Sequence, residues 1–273
     1  MNLAILGSGI VSLDAATALG KKKHHVTLAT RHPESIHNFI RAAEKTIVLN
    51  EYDEASLSPI LANNQLIVVA LLSEISKENA QTSYELANTL HSCAANSDFT
   101  RRILYVSSTV VYGDHQGLWV DETSSLKTKT EEGKLLLKAE RIIDSLKKLS
   151  WPVCILRIAE LYGPGKELSK RIKLLKGALP GSGLPYTNMI HRLDVSAAID
   201  YCISHNLEGT YNLADDEHPT REQLYQQIAE KNRLPKIKWD PNYDGWKSIN
   251  KRVSNRKIKS SGFSFLYPQR ILD

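Results

Sequence analysis

The stretch "NLAILGSGIVSLDAATALG" (Asn2–Gly20) runs from a short apolar segment through a glycine turn into residues with helical spacing. Gly7 and Gly9 stand as the first two glycines of a Gly-x-Gly-x-x-Gly turn, with Ser12 in place of the third. Gly7 permits the tight turn, and Gly9 lets a pyrophosphate come up to the backbone. The helix that opens near Ile10 offers amides that no helical carbonyl can satisfy. Ser12 is small enough for that helix to lie against the sheet. Alone, the pattern also fits an ordinary strand-to-helix turn. Its place at the head of a chain that alternates strand and helix favours a dinucleotide cradle of Gly7, Ser8, Gly9, Ile10 and Val11, completed by Leu71 and Ser107 from the ends of later strands.

The alternation continues outward from this start. Runs rich in Val, Ile and Leu recur at 25–29, 46–50, 65–72, 102–106 and 153–158, each short enough to be a strand buried on both faces. Between them, 54–62, 78–95 and 131–149 carry apolar residues at helical spacing. Such an order predicts an α/β fold, a Rossmann-type doubly wound parallel sheet with right-handed crossovers. Beyond Gly163 the turns "GPGK" and "LPGSGLP" loosen the pattern. The expected division is a dinucleotide-binding domain over 1–165 and a smaller C-terminal substrate lobe over 166–273, with about 188–215 returning to the sheet.

Composition narrows the function classes. The chain has 273 residues, 42% apolar and 24% charged, as an ordinary folded domain has. Asp14 and the Lys21–Lys23 run break any membrane span, and no basic-then-apolar leader opens the sequence, so the expected location is cytoplasmic. Cys93, Cys154 and Cys202 lie far apart without metal-ligand spacing and read as small buried apolar residues, so no metal is expected. The net charge of +5 is scattered rather than gathered into an aromatic-interleaved patch. An anionic small molecule explains it as well as nucleic acid does, and no nucleic-acid partner is expected.

At the end of the second strand of such sheets an acid holds the adenosine ribose, whereas an arginine accommodates a 2′-phosphate. Here "TLATRHPES" (27–35) presents Thr30, Arg31 and His32 and no acid. NADP is therefore expected over NAD, with Thr30 and Arg31 in the site. The alternative is that Arg31 is a solvated loop residue.

"GSGIVS", "YVSSTVVYGD" (105–114), "WVDETS" (119–124) and "LRIAELYGPGK" (156–166) together resemble the extended short-chain dehydrogenases/reductases of the nucleotide-sugar epimerase/dehydratase type. "NMIHRLDVSAAI" (188–199), "GTYNLADDEHPTREQLY" (209–225) and "KRVSNRKIKSSGFSFLYP" (251–268) extend the resemblance over nearly the whole chain. It implies a catalytic Ser/Thr at Ser108 and a Tyr-x-x-x-Lys on the next helix. That helix reads "TKTEEGKLLLKAE" (128–140), which puts Glu132 and Leu136 in those two places when Glu140 is aligned with the glutamate that follows the family motif. Tyr162–Lys166 and Tyr243–Lys247 have the right spacing, but Gly and Pro within or beside them argue against a shared helical face. The chain thus resembles the atypical branch that keeps the dinucleotide site and varies the catalytic residues.

The remaining candidates for chemistry are Ser108, Thr109 and Tyr112, the last as a replacement phenol if Lys134 folds toward it; the alternatives are that Ser107–Thr109 only satisfy loop amides and that Tyr112 packs, as a tyrosine at this place more often does in the family the chain resembles. Asp121 and Glu122 are expected to order their loop, and Arg157 to form an ion pair. Asn188, His191 and Arg192 are candidates for substrate contact, and Arg171 and Lys173 for a diphosphate. His191 as a structural histidine and a solvated Arg171–Lys173 face are the alternatives. Two functions stay open: an NAD(P)-dependent enzyme acting on a sugar or nucleotide-sugar, or a dinucleotide-binding sensor or interaction protein without turnover. The reading leaves room for a homodimer.

Overall fold

Unalternating runs of Val, Ile and Leu can be satisfied only when both faces of the strand are covered. A computed structural model describes the chain apart from residues 40, 72–74, 174–177, 241, 243–248 and 273 and the side chains of 171, 173 and 180. Strands β1 (Asn2–Leu6), β2 (His25–Thr30), β3 (Lys45–Val48), β4 (Leu66–Val69) and β5 (Arg102–Ser108) are followed by a two-residue β6 (Trp119–Val120) and by β7 (Val153–Ile158). Then come β8 (Glu160–Tyr162), β9 (Leu179–Pro180), β10 (Met189–His191), β11 (Gly209–Leu213), β12 (Trp239–Asp240) and β13 (Arg252–Val253). Seven of them form one sheet in the order β3–β2–β1–β4–β5–β7–β11, and every pairing is parallel. The winding reverses between β1 and β4, which opens a crevice beyond their carboxyl ends.

The helices are α1 (Ile10–Lys21), α2 (Glu54–Asn63), α3 (Lys77–Ala95), α4 (Glu131–Ser145), α5 (Leu168–Lys173), α6 (Arg192–Ser204), α7 (Arg221–Lys231) and α8 (Arg256–Ser260). Val11, Ala15 and Leu19 of α1 and Val195, Ile199 and Cys202 of α6 share a core on one face of the sheet. Leu57 and Leu61 of α2, Leu86 and Leu90 of α3 and Ile143 of α4 fill the other. The helix expected over 131–149 ends at Ser145, and Leu146–Leu149 tighten into a 3₁₀ turn. The strand expected over 65–72 ends at Val69, with residue 72 outside the described residues. All three cysteines are free and buried. Among the described residues no helix is long and apolar enough to cross a membrane.

Side chains start most of the long helices. Asp53, Ser76 and Thr130 each accept an amide hydrogen at the N-terminus of α2, α3 and α4, and Thr220 with Gln223 forms a capping box on α7. Helix α1 starts differently: its cap is Gly9, no side chain bonds the first amides, and no acid lies in its first turn. Its positive end is left open.

Beyond β7 the chain builds a satellite core of Tyr162, Leu168, Ile172, Met189, Leu224 and Ile228. The C-terminal segment is fastened to it by charge. Asp194 accepts the amides of Leu266 and Tyr267 at 2.6 and 3.1 Å, and Arg270 forks onto the carboxylate of fully buried Asp215 with two bonds of 2.9 Å. On the sheet side, Arg157 of β7 meets Glu140 of α4 at 2.7 Å, with both groups buried.

Removing one partner of a buried pair leaves a naked charge. Arg157→Met should therefore cost about 3–5 kcal/mol, and Arg157→Met with Glu140→Leu should recover more than half of that. Urea denaturation of the three proteins measures both effects; a single variant that loses less than about 1 kcal/mol would show that the pair carries no such load.

Candidate functional site

Three strand ends meet at the glycine turn. Gly7 has φ +115°, and a Cβ there would lie 2.5 Å from the carbonyl oxygen of Ala70 at the end of β4. The same carbonyl accepts the Ser12 hydroxyl at 3.0 Å, so the residue in the third glycine's place pins α1 to β4. From β2, Thr30 donates its hydroxyl to Ser8 Oγ at 2.8 Å and accepts the His32 amide at 3.0 Å. Thr30 is fully buried and both functions of its hydroxyl are used, which corrects its expected role: it shapes the turn rather than touching a ligand. Ser8, Gly9 and Ile10 keep partial exposure, and Leu71 lies beside Gly7.

Arg31 follows at the mouth of β2. Its Nη2 donates to Thr82 Oγ1 of α3 at 2.9 Å, and its guanidinium lies 5.1 Å from the Tyr52 ring centroid. Its Nε is enclosed and has no hydrogen-bond partner among the described residues. Burial pushes the Tyr52 phenol up to about 12, so it is neutral at physiological pH. The sequence reading did not find Tyr52 or Thr82, because neither belongs to a local motif; only the sheet order brings them to Arg31. An uncapped α1, a tight turn whose Gly7 has no room for a Cβ against Ala70, and an enclosed guanidinium nitrogen without a partner among the described residues fit a dinucleotide. Ser8–Val11 would take its pyrophosphate at their amides, the Gly7 amide being bonded to the Ala29 carbonyl at 2.9 Å, and Arg31 its adenosine end. A bound nicotinamide would supply hydride chemistry.

At the end of β5 the hydroxyls divide. Ser107 is fully buried with an unpartnered Oγ. Ser108 Oγ accepts the Val110 amide at 3.2 Å and caps the short 3₁₀ turn Thr109–Tyr112, and Thr109 is buried beside it. Tyr112 stands elsewhere. Its hydroxyl donates to Asn212 Oδ1 at 2.8 Å and accepts from Arg157 Nη1 at 3.0 Å, and the whole side chain is buried. Burial pushes its phenol up to about 12 although Arg157 pulls the other way. Lys134 points outward to Glu131 at 2.8 Å. The expectation of a Tyr112–Lys134 acid/base pair is therefore wrong. Leu136 packs with Ala80 and Val111 in an apolar cluster. Lys166 closes a turn on the Gly163 carbonyl at 2.8 Å, so Tyr162 and Lys166 share no helical face. The Tyr243–Lys247 pair lies outside the described residues, as do the side chains of Arg171 and Lys173.

The residues expected to touch substrate have protein partners of their own. Asn188 Nδ2 donates to the Lys251 carbonyl at 2.9 Å, while its Oδ1 accepts the Val253 amide at 2.7 Å and lies 3.0 Å from His218 Nδ1. His191 is buried between Tyr162 and Tyr267, and its Nδ1 caps α6. Arg192 forks onto Asp14 of α1 with two bonds of 2.6 Å. All three hold the lobe to the sheet. Asp121 orders its loop through Thr123 and Ser124, and Glu122 accepts the Asn212 amide at 2.7 Å. A surface hollow of about 500 Å³ lined by Asn2, His25, Glu44 and Asn63 belongs to the opposite, N-terminal edge of the sheet, away from this chemistry.

A family model described as NAD(P)H-binding matches residues 7–206. The chain belongs to this NAD(P)H-binding family. Protein YeeZ of Escherichia coli K12 is 32% identical over 173 residues, which are 63% of this chain. The match spans only about 60% of that relative's length. Among solved structures, a functionally unknown conserved protein from Silicibacter pomeroyi superposes with a TM-score of 0.80 at 24% identity, covering 98% of this chain and 94% of the other. The dTDP-glucose 4,6-dehydratase of Bacillus anthracis, solved with NAD, gives 0.82 at 19% identity and covers 98% and 92%. The UDP-glucose 4-epimerase of Thermus thermophilus, also with NAD, gives 0.79 at 15% and covers 97% and 94%. At these identities the likeness is one of fold, and it runs the length of the chain.

Because the Tyr112 phenol serves the buried network, Tyr112→Phe should lower stability by about 1–3 kcal/mol through the orphaned Asn212 and Arg157 groups. Dinucleotide affinity should stay unchanged. Denaturant unfolding and calorimetry check the two halves; a large fall in affinity with unaltered stability would return Tyr112 to the site.

Proposed function

We propose that the chain binds NADP(H) in preference to NAD(H) and acts as an epimerase, dehydratase or reductase on a sugar or nucleotide-sugar. The observation that carries the cofactor preference is Arg31 at the mouth of β2, unopposed by an acid there and with Nε enclosed and unpartnered. A 2′-phosphate would meet the part of the half-buried guanidinium that stays exposed and give it an acceptor besides Thr82. For the chemistry, Ser108 stands where the family resemblance puts the hydroxyl that positions a substrate oxygen, next to the unpartnered Ser107.

A second reading has its own support. Leu136 occupies the lysine's place inside an apolar cluster, and Tyr112 is locked into a structural network. A general base contributes about 10²–10⁴-fold in rate, so a site without the Tyr/Lys pair would turn over sugar nucleotides slowly or serve only to sense the dinucleotide.

Two measurements separate these. Arg31→Asp should reverse an NADP(H) preference of about 1–2 kcal/mol for a partly exposed charge-assisted contact; calorimetry showing equal affinities in the wild type would remove Arg31 from the site. Ser108→Ala should lower any turnover by about tenfold or more while leaving the affinity for NADPH as it was. Turnover indifferent to that change would place the chemistry elsewhere, and a complete lack of turnover with intact NADPH binding would favour the sensor.

A further inference from the structure

Lys251 lies where three segments leaving the carboxyl edge of the sheet converge. The residue before it, Asn250, accepts the amides of His115 and Gly117 on its carbonyl at 2.9 and 3.0 Å and donates its own amide to Asp114 Oδ1 at 3.0 Å. Those residues form the loop that follows Tyr112 beyond β5. The carbonyl of Lys251 is held by Asn188, whose own carbonyl accepts the amide of Glu160 at the start of β8 at 3.1 Å. The backbone here is fixed from both sides.

Alternation then aims the side chain inward. Arg252 lies between the rings of Trp119 and Tyr186, 5.0 and 4.8 Å from their centroids, with Nε bonded to the Gly117 carbonyl. Val253 sits in the main core, and Lys251 shares its side with only 5% of its surface exposed. The ammonium makes no hydrogen bond or ion pair with any described residue.

A buried ammonium without an anion is unusual. Of the three buried cationic side chains among the described residues, Arg157 has Glu140 and Arg270 has Asp215. Burial brings the Lys251 amine down to about 8, with Asp114 pulling it upward. Asp114 is not a full partner: its Oδ1 accepts the amides of Gln116 and Asn250. Of the other charged or titratable groups nearby, Arg252 turns to the aromatic rings and His218 is held by Asn188.

We propose that Lys251 binds an oxyanion of the substrate, its ammonium receiving a carboxylate or phosphate of the ligand and so gaining the counter-charge that the folded chain withholds. The word substrate rests on the function proposed above; the anion site itself does not.

The test follows the Lys251 amine by NMR in the wild-type chain, its signal assigned by loss in Lys251→Met, with NADPH at saturation so that the α1 terminus is filled. Inorganic pyrophosphate and glucuronate are titrated separately. The expected result is a Lys251 titration near pH 8 without anion. One of the two probes should shift it into the ordinary lysine range, and the probe that does so distinguishes a phosphate from a carboxylate. Lys251→Met should weaken that probe by about tenfold or more and leave NADPH affinity intact. If neither probe moves the signal, or if the variant binds both as the wild type does, the proposal is overturned. Absence of sugar-nucleotide turnover would overturn the enzymatic reading alone and leave these titrations as they stand.

Discussion

The guanidinium of Arg157 is buried at the carboxyl end of β7, and the far side of the sheet is assembled around its charge. Glu140 reaches it from α4, Tyr112 from the turn beyond β5, and Tyr112 passes the bond on to Asn212 of β11, whose Nδ2 donates to the Ser254 carbonyl in the C-terminal segment. A buried ion pair returns little net stability against its desolvation cost, but it tolerates only one arrangement of its partners. It therefore fixes where α4, the "SSTVVYG" turn and β11 stand relative to one another. Asp215 with Arg270 and Asp14 with Arg192 repeat the device at the lobe and at α1.

This constraint separates two halves of the carboxyl edge. Around β1, β2 and β4 the polar groups are left open: α1 has no side-chain cap, Arg31 Nε has no partner, and the turn is held by hydroxyls rather than charges. Around β5, β7 and β11 nearly every polar side chain is committed to the protein. A ligand can be gripped at the first half through backbone amides without disturbing the second. Chemistry at the second half has few free groups to draw on, chiefly Ser107, Ser108, Thr109 and Lys251. The open dinucleotide cradle and the short catalytic inventory thus have a common physical origin.

The sheet was legible because its signal is local: Val, Ile and Leu runs at strand length, glycines at fixed offsets and helical stripes between them. Ser12 also read correctly as the small residue that lets α1 approach the sheet, though its bond to Ala70 was not visible in sequence. The structural roles of Tyr112, Asn188, His191 and Arg192 are hidden from the sequence for a single reason. Each looks functional by residue type and motif position, and each is satisfied by a partner far away in sequence, such as Asn212 for Tyr112 or Asp14 for Arg192. Whether a polar side chain is free or already bonded depends on long-range packing, which periodicity does not encode. Lys251 was passed over for the converse reason: in "NKRVSN" it reads as one basic residue in a basic tail, and only the outward turn of Arg252 shows that it faces inward.

The central claim is that the dinucleotide is held at the glycine turn and the mouth of β2, apart from the Arg157 network. Hydrogen exchange with and without saturating NADPH measures this directly. Protection should rise at the amides of residues 8–12 and of Arg31, with those of 112, 157 and 212 unchanged because their bonds are already made. Protection confined to the opposite edge, around residues 25, 44 and 63, or none at the glycine turn, would contradict the account.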